Sequence, residues 1–216
     1  MRAIRDAELD LRAPGIAGEG EATRRRILDA ALVCLARFGV AKTNLDDVAR
    51  EAGCSRATLY RYFPGKAALV VAAADSEIAR IVCLIADAGD RATDLEDAVT
   101  DMMLTAAREL SSQKALQRVL VQEPALVLQH CAFSGGDRLL ALAAAWFAPT
   151  FARFVPAERA PAAAEWCTRV LLQFLHLDGC DESVTEESYV RPLVRHFVLP
   201  GCVSDLQSST AQQGDV

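Results

Sequence analysis

From Thr23 onward the apolar residues of this chain return at three- and four-residue steps, and no stretch shows the sustained alternation of a half-buried strand. That pattern predicts an all-α fold. Ile27, Leu28, Ala31, Leu32, Leu35 and Phe38 mark a first amphipathic helix that Gly39 ends. Leu45–Ala52 fits a second, short helix with Leu45, Val48 and Ala49 inward and Asn44 as its cap. "GCS" at 53–55 then turns the chain, Ser55 caps a third helix, and Pro64-Gly65 stops it. One long apolar-rich helix runs from Lys66 to about Ile85.

The rest reads as further helices. "TDLE" at 93–96 is a capping box that opens a helix to about Leu110. Ser112 is placed to cap the next, through about Val121, and Pro124 suits the first turn of another. "SGGD" at 134–137 precedes a long helix ending near Val155, and Pro156 and Pro161 bracket a joint. A helix over 161–176 follows. "SVTE" at 183–186 caps a last one to about Val198, which Pro192 should kink or restart, and "PGC" at 200–202 ends the fold. Residues 1–21, with Pro14, Gly15, Gly18 and Gly20, read as a flexible arm, and 203–216 as a disordered tail.

The chain's 216 residues are enough to bury a core. No run of about 18 apolar residues would span a membrane. The acidic N-terminal arm lacks the apolar stretch of a secretory signal, so a cytoplasmic protein is expected. Seven cysteines, odd in number and without a CxxC pair, read as small buried hydrophobes. His130, His176 and His196 read as ordinary surface or packing positions. His176 and Cys180 alone make too few ligands for a metal site, so neither metal nor cofactor is expected.

Charge is distributed unevenly. Thr23–Lys66 holds nine basic and four acidic residues, a balance of +5, in a chain whose net charge is -6, which leaves -11 for everything else. One small module is therefore suited to meet a polyanion that the remainder repels. Within it "GCSRATLYRYFPGK", Gly53–Lys66, carries three rings, two arginines and a lysine without a carboxylate.

A short helix, a glycine turn and a second short helix make a helix-turn-helix, which lays its second helix in the major groove of DNA. Leu59 and Phe63 face inward, and Arg56, Ala57, Arg61 and part of Tyr60 face outward. Arg56 and Arg61 can each offer paired donors to guanine, and Ala57 can approach a thymine methyl. Thr58, Tyr60 and Tyr62 carry hydroxyls suited to phosphates. Lys66 stands at a helix start, where its charge and the helix amides favour a phosphate, and Thr43 holds a similar place before the second helix.

"TRRRILDAALVCLARFGVAKTNLDDVAREAGCSRATLYRYFPGKAAL", Thr23–Leu69, resembles the DNA-binding domain of the TetR family of bacterial transcription regulators. The likeness lies in "RILDAA", "FG", the threonine before the second helix, and "VAREAGCSRATLYRYFPGK". It departs from the family at Cys54, where valine is usual, and in its longer N-terminal arm. The resemblance implies that Thr43, Arg56, Ala57, Thr58, Tyr60, Arg61, Tyr62 and Lys66 contact a double-stranded operator. It implies a division into a DNA-binding domain at 22–66 and a larger effector-binding and dimerisation domain at 67–202. It also implies a homodimer on an inverted repeat. Its interface would draw on Trp166, Val170, Leu171, Phe174, Tyr189, Leu193 and Phe197.

The same resemblance implies an internal effector pocket, for which Met102, Met103, Leu104, Leu120, Phe133, Trp146, Phe147 and Phe151 offer an apolar lining. Few ionisable residues interrupt 115–155, so a small hydrophobic effector is expected. "LVQEPALVLQHCAF" at 120–133 is similar to a stretch in actinobacterial members linked to lipid metabolism, which points to a lipid-like ligand. Repression, relieved by that ligand, is the expected mode, with activation as the alternative. An enzyme is disfavoured because no Ser/His/Asp set, phosphate loop or carboxylate pair is identifiable. A scaffold for acidic protein partners is the third reading.

Overall fold

The computed structural model describes residues 19–122, 136–175 and 185–203, and among them every regular element is helical. The order is α1 (Glu19–Lys42), α2 (Leu45–Glu51), α3 (Arg56–Tyr62), α4 (Lys66–Asp90), α5 (Leu95–Ser112) and α6 (Lys114–Gln122). Then come α7 (Gly136–Phe151), α8 (Ala160–Leu175), α9 (Glu187–Leu193), a π-helical turn (Val194–Val198) and α10 (Leu199–Val203). None of these helices is long and apolar enough to cross a membrane. The chain groups into two compact units. One holds the described residues up to Cys83 and from Glu109 to Gln122; the other holds Leu84–Arg108 and the later elements. These units do not follow the linear division at 66/67.

In the first unit, Ile27, Leu28 and Leu35 of α1 meet Val48 of α2, Leu59 of α3, Leu69 of α4 and Val119 of α6. Leu59 is fully buried and Phe63 nearly so. Burying such side chains contributes about 1.5–3 kcal/mol each and fixes which way α3 faces. The path of α1 breaks at Gly39, whose φ of 74° and ψ of 172° lie in a region that only glycine occupies readily. The groups freed by this break find partners. The Thr43 N–H and hydroxyl donate to the Gly39 carbonyl at 3.1 and 2.7 Å. The Val40 N–H donates to Gln122 Oε1 at 3.0 Å, and Arg118 donates to the Arg37 carbonyl at 3.3 Å, so two side chains of α6 grip the end of α1.

In the second unit, α5 buries Val99, Met102, Met103 and Leu104, α7 buries Phe147 and Phe151, and α8 buries Ala163 and Ala164. Val190, Val194, Val198 and Cys202 close the core from the C-terminal elements. Arg191 and Arg195 bind Glu96 at the start of α5, and Arg191 also binds Asp97 at 2.6 Å. These guanidiniums, Arg195 first, hold the Glu96 carboxyl below its ordinary range. Arg153 donates to the carbonyls of Asp90 and Ala92, both at 2.9 Å, and so closes the C-terminal end of α4.

Several expected boundaries move for identifiable reasons. Helix α4 continues to Asp90 rather than stopping near Ile85. Asp94, not Thr93, caps α5 by accepting the Asp97 N–H at 2.8 Å, because Glu96 is drawn to the two arginines instead of reaching back. Ser112 is the last residue of α5 and donates back to the Glu109 carbonyl, so it does not cap α6. Helix α7 ends at Phe151 rather than near Val155. The last helix starts at Glu187 without a side-chain cap, and its hydrogen-bond ladder widens to a π turn just after Pro192. Pro200-Gly201 does not end the fold, because proline is tolerated in a first helical turn and α10 runs on to Val203. Residues 19–21, expected in the arm, are helical. Pro124, Ser134, Gly135, Ser183 and the cysteine–histidine pair at 176 and 180 lie outside the described residues, as do 1–18 and 204–216.

Candidate nucleic-acid interface

Each part of the helix-turn-helix is set by a local device. The Asn44 side chain accepts the Asp47 N–H at 2.8 Å and starts α2. Gly53 makes the turn at φ 61°, a left-handed conformation that costs a non-glycine residue. Ser55 Oγ accepts the Thr58 N–H at 3.1 Å and starts α3, and Phe63, extended, ends it. With Leu59 at the core, the opposite face of α3 presents Arg56, Ala57, Tyr60 and Arg61 to solvent. Sequence periodicity places these four as observed.

The exposed face is pre-arranged. The Arg56 guanidinium lies 5.5 Å from the centre of the Tyr60 ring, and Arg61 lies 5.3 Å from that of Tyr62. The Tyr60 hydroxyl and the Asp46 carboxylate both raise the Arg56 pKa, so the side chain stays fully charged. Asp46, one of the four acidic residues of the basic segment, joins this face. It sits in the first turn of α2 and meets Arg56 Nε at 3.2 Å, a contact between residues ten apart that helical periodicity does not show. The pair is exposed on both sides and therefore exchangeable. Asp47 is engaged elsewhere, with Asn44 and Arg50. Thr58 is half-buried and shares a hydrogen bond with Ser55 Oγ at 2.9 Å, and Tyr62 is half-buried against the core. Lys66 begins α4 as expected, and its ammonium donates to the Ala41 carbonyl at 2.9 Å, leaving two protons for other acceptors.

Thr43 is a correction. It is 4% exposed and its hydroxyl proton is committed to Gly39, so its role is to close α1 rather than to reach a phosphate.

Residues 27–73 match the family described as bacterial regulatory proteins, tetR family. Over a longer span, the chain is 30% identical over 185 residues to the uncharacterized HTH-type transcriptional regulator Rv1255c of Mycobacterium tuberculosis, an alignment covering 81% of this chain and 83% of that one. The chain belongs to the TetR family. As a TetR protein it is a DNA-binding transcriptional regulator, a non-enzymatic class. The HTH-type transcriptional repressor KstR of Mycolicibacterium smegmatis is 43% identical over 58 residues, 27% of this chain and 28% of that one. The fold matches the TetR family repressor AlkX from Dietzia sp. with a TM-score of 0.61 at 22% identity, covering 82% of this chain and 98% of that one.

The second unit of this TetR chain contains a cavity of about 20 Å³, lined by Ile85, Val99, Met102, Met103, Phe147, Phe151, Cys167, Thr168 and Leu171. That is room for little more than one water-sized group. Four of the anticipated pocket residues, Met102, Met103, Phe147 and Phe151, come together here. The others do not. Leu104 is buried away from the lining and Trp146 is half-buried outside it. Leu120 belongs to α6 in the first unit, because α6 packs along α1. Phe133 lies outside the described residues. Leu171, anticipated at a subunit interface, is half-buried and also lines the cavity. Of the remaining interface candidates, Trp166, Tyr189 and Phe197 are exposed, the last at 73%, while Val170 and Leu193 are half-buried. The Phe174 side chain lies outside the described set.

Proposed function

We propose that this TetR regulator is a repressor that binds an inverted-repeat operator as a homodimer and leaves it when a small hydrophobic effector enters the second unit. The observation that carries the reading is the solvent face of α3. Arg56, Ala57, Tyr60 and Arg61 stand together on a helix whose orientation is locked by the buried Leu59. Two guanidiniums and a methyl group supply base-edge chemistry, and the tyrosine hydroxyl and Lys66 supply phosphate contacts.

Homodimerisation is supported by Trp166, Tyr189 and Phe197, large rings left exposed on the C-terminal elements. Aromatic residues of this kind concentrate at interface cores. An apolar effector is supported by the cavity lining, where Met102 and Met103 are flexible enough to repack around a guest. The name of AlkX, a repressor implicated in biodegradation of n-alkanes, fits the same ligand chemistry. At about 20 Å³ the cavity must expand to take such a molecule. Helix α4 contributes Lys66 to the DNA-facing surface and Ile85 to the cavity wall, so expansion at Ile85 acts on the helix that carries Lys66. A coupling of about 1–3 kcal/mol, or 5–150-fold in affinity, is typical of such linkage.

Selection of random duplexes by the purified protein at several salt concentrations tests this reading. One inverted repeat with a steep salt slope is the expected result. Recovery of unrelated sequences, or of a single half-site, would overturn the dimeric repressor.

A further inference from the structure

Cys167 on α8 and Cys202 on α10 are far apart in sequence, yet their sulfurs lie 3.4 Å apart inside the second unit. Both are buried free thiols. Their surroundings differ. Cys167 forms part of the apolar cavity wall beside Thr168 and Leu171. Cys202 sits behind it, its sulfur 3.5 Å from the Val198 carbonyl, with Arg159 close enough to act on it electrostatically.

We propose that Cys167 and Cys202 are a dithiol that a small hydroperoxide entering the cavity oxidises to a disulfide, and that this oxidation changes operator affinity. The regulatory half of this proposal rests on the repressor reading above.

The chemistry balances with hydrogen peroxide as the oxidant. The Cys167 sulfur, which faces the cavity, attacks one peroxide oxygen. An S–O bond forms, the O–O bond breaks, and the departing hydroxide takes the thiol proton as water. Cys167 is then a sulfenic acid. The Cys202 sulfur attacks it, the S–S bond forms, the S–O bond breaks, and hydroxide leaves with the Cys202 proton as a second water. Two thiols have lost two electrons and the peroxide has gained them.

Access to the cavity, which Cys167 lines and Cys202 does not, sets the order of the two steps, while the two thiols stand in different electrostatic settings. A hydrogen bond from Cys167 and the nearby Arg159 lower the pKa of Cys202, whereas donating that bond and burial raise that of Cys167.

The geometry also says what the bond would move. A disulfide requires sulfurs about 2.05 Å apart, so the two sulfurs, 3.4 Å apart here, must approach by more than 1 Å through side-chain rotation or movement of α8 against α10. Trp166, next to Cys167, donates its indole N–H to the Val198 carbonyl at 3.0 Å and lies directly against Gly201. Oxidation therefore moves the cavity wall at Cys167, on the helix that also carries the exposed Trp166.

The test is to treat the intact protein with hydrogen peroxide, map its peptides without reduction, and measure its affinity for the duplex selected by the reduced protein. A Cys167–Cys202 peptide is expected, with an affinity change of at least fivefold that dithiothreitol reverses. Cys167→Ala and Cys202→Ala should each abolish the change, and Cys83→Ser, at an exposed position, should retain it. Mapping of the unaltered protein decides the chemistry even if a buried variant misfolds. Oxidation confined to other cysteines would overturn the site, and a disulfide without an affinity change would overturn its regulatory role. If the reduced protein selects no duplex, the repressor reading fails and the regulatory half with it, while the mapping still decides the dithiol.

Discussion

Replacing Gly39 by alanine should damage the joint between α1 and α6 by two separable routes. The backbone there, at φ 74° and ψ 172°, lies where a non-glycine residue loses about 1–3 kcal/mol. A Cβ would also meet Gln122 Oε1 at 2.5 Å and Nε2 at 2.9 Å. The amide must then withdraw, and the Val40 N–H that it accepts at 3.0 Å loses its partner. That N–H is only part-buried, so the lower end of the usual range for an orphaned donor applies, about 1 kcal/mol. The sum is roughly 2–4 kcal/mol. Urea unfolding should show it as a midpoint lowered by about 1–2 M for a slope near 2 kcal/mol per M. Gln122→Ala alone should cost about 1 kcal/mol, and the double variant should cost less than the two singles together, because the clash is gone. A loss below about 0.5 kcal/mol for Gly39→Ala would refute the backbone argument, since that is within the scatter of neutral surface changes. Strict additivity with Gln122→Ala would refute the contact.

Four other outcomes follow from the same structure. Arg61→Ala should cost about 1–3 kcal/mol at one operator position and relax base preference there, as read from competition between operator and random DNA. Lys66→Ala should weaken all duplexes alike and lower the logarithmic salt slope by about 0.9, the equivalent of one phosphate. Thr43→Val should lower stability by about 1 kcal/mol through the lost bond to Gly39 and leave the salt slope unchanged, which separates a structural threonine from a phosphate contact. Phe197→Ser should shift sedimentation towards monomer at low concentration without lowering the unfolding temperature of the subunit, because the ring is largely exposed.

The helix-turn-helix was legible in sequence because its structure is made locally. Asn44, Gly53 and Ser55 act on backbone within three residues, and Leu59 and Phe63 declare the buried side of α3 by spacing alone. Once that side is known, Arg56, Ala57, Tyr60 and Arg61 have only one way to point. Thr43 shows the limit of such reading. A threonine before a helix looks like a phosphate ligand until the carbonyl freed at Gly39 arrives to claim its hydroxyl. Asp46 against Arg56 was hidden for a related reason, since the contact joins two helices across a turn.

The second unit was less legible because its chemistry depends on which helices meet. Periodicity identifies α5, α7 and α8 as amphipathic but not which neighbour each apolar face will find. It therefore does not reveal that Leu171 shares a cavity wall with Met102, Met103 and Phe151. Cys167 and Cys202, separated by a long stretch of chain, read only as small buried hydrophobes until two helices brought their sulfurs together. The helical class, the charge placement and the exposed face of α3 follow from interactions within one or two helical turns, and the sequence alone determined them. The cavity, the dithiol and the grip of α6 on α1 arise from contacts between distant segments, and those only the tertiary packing decided.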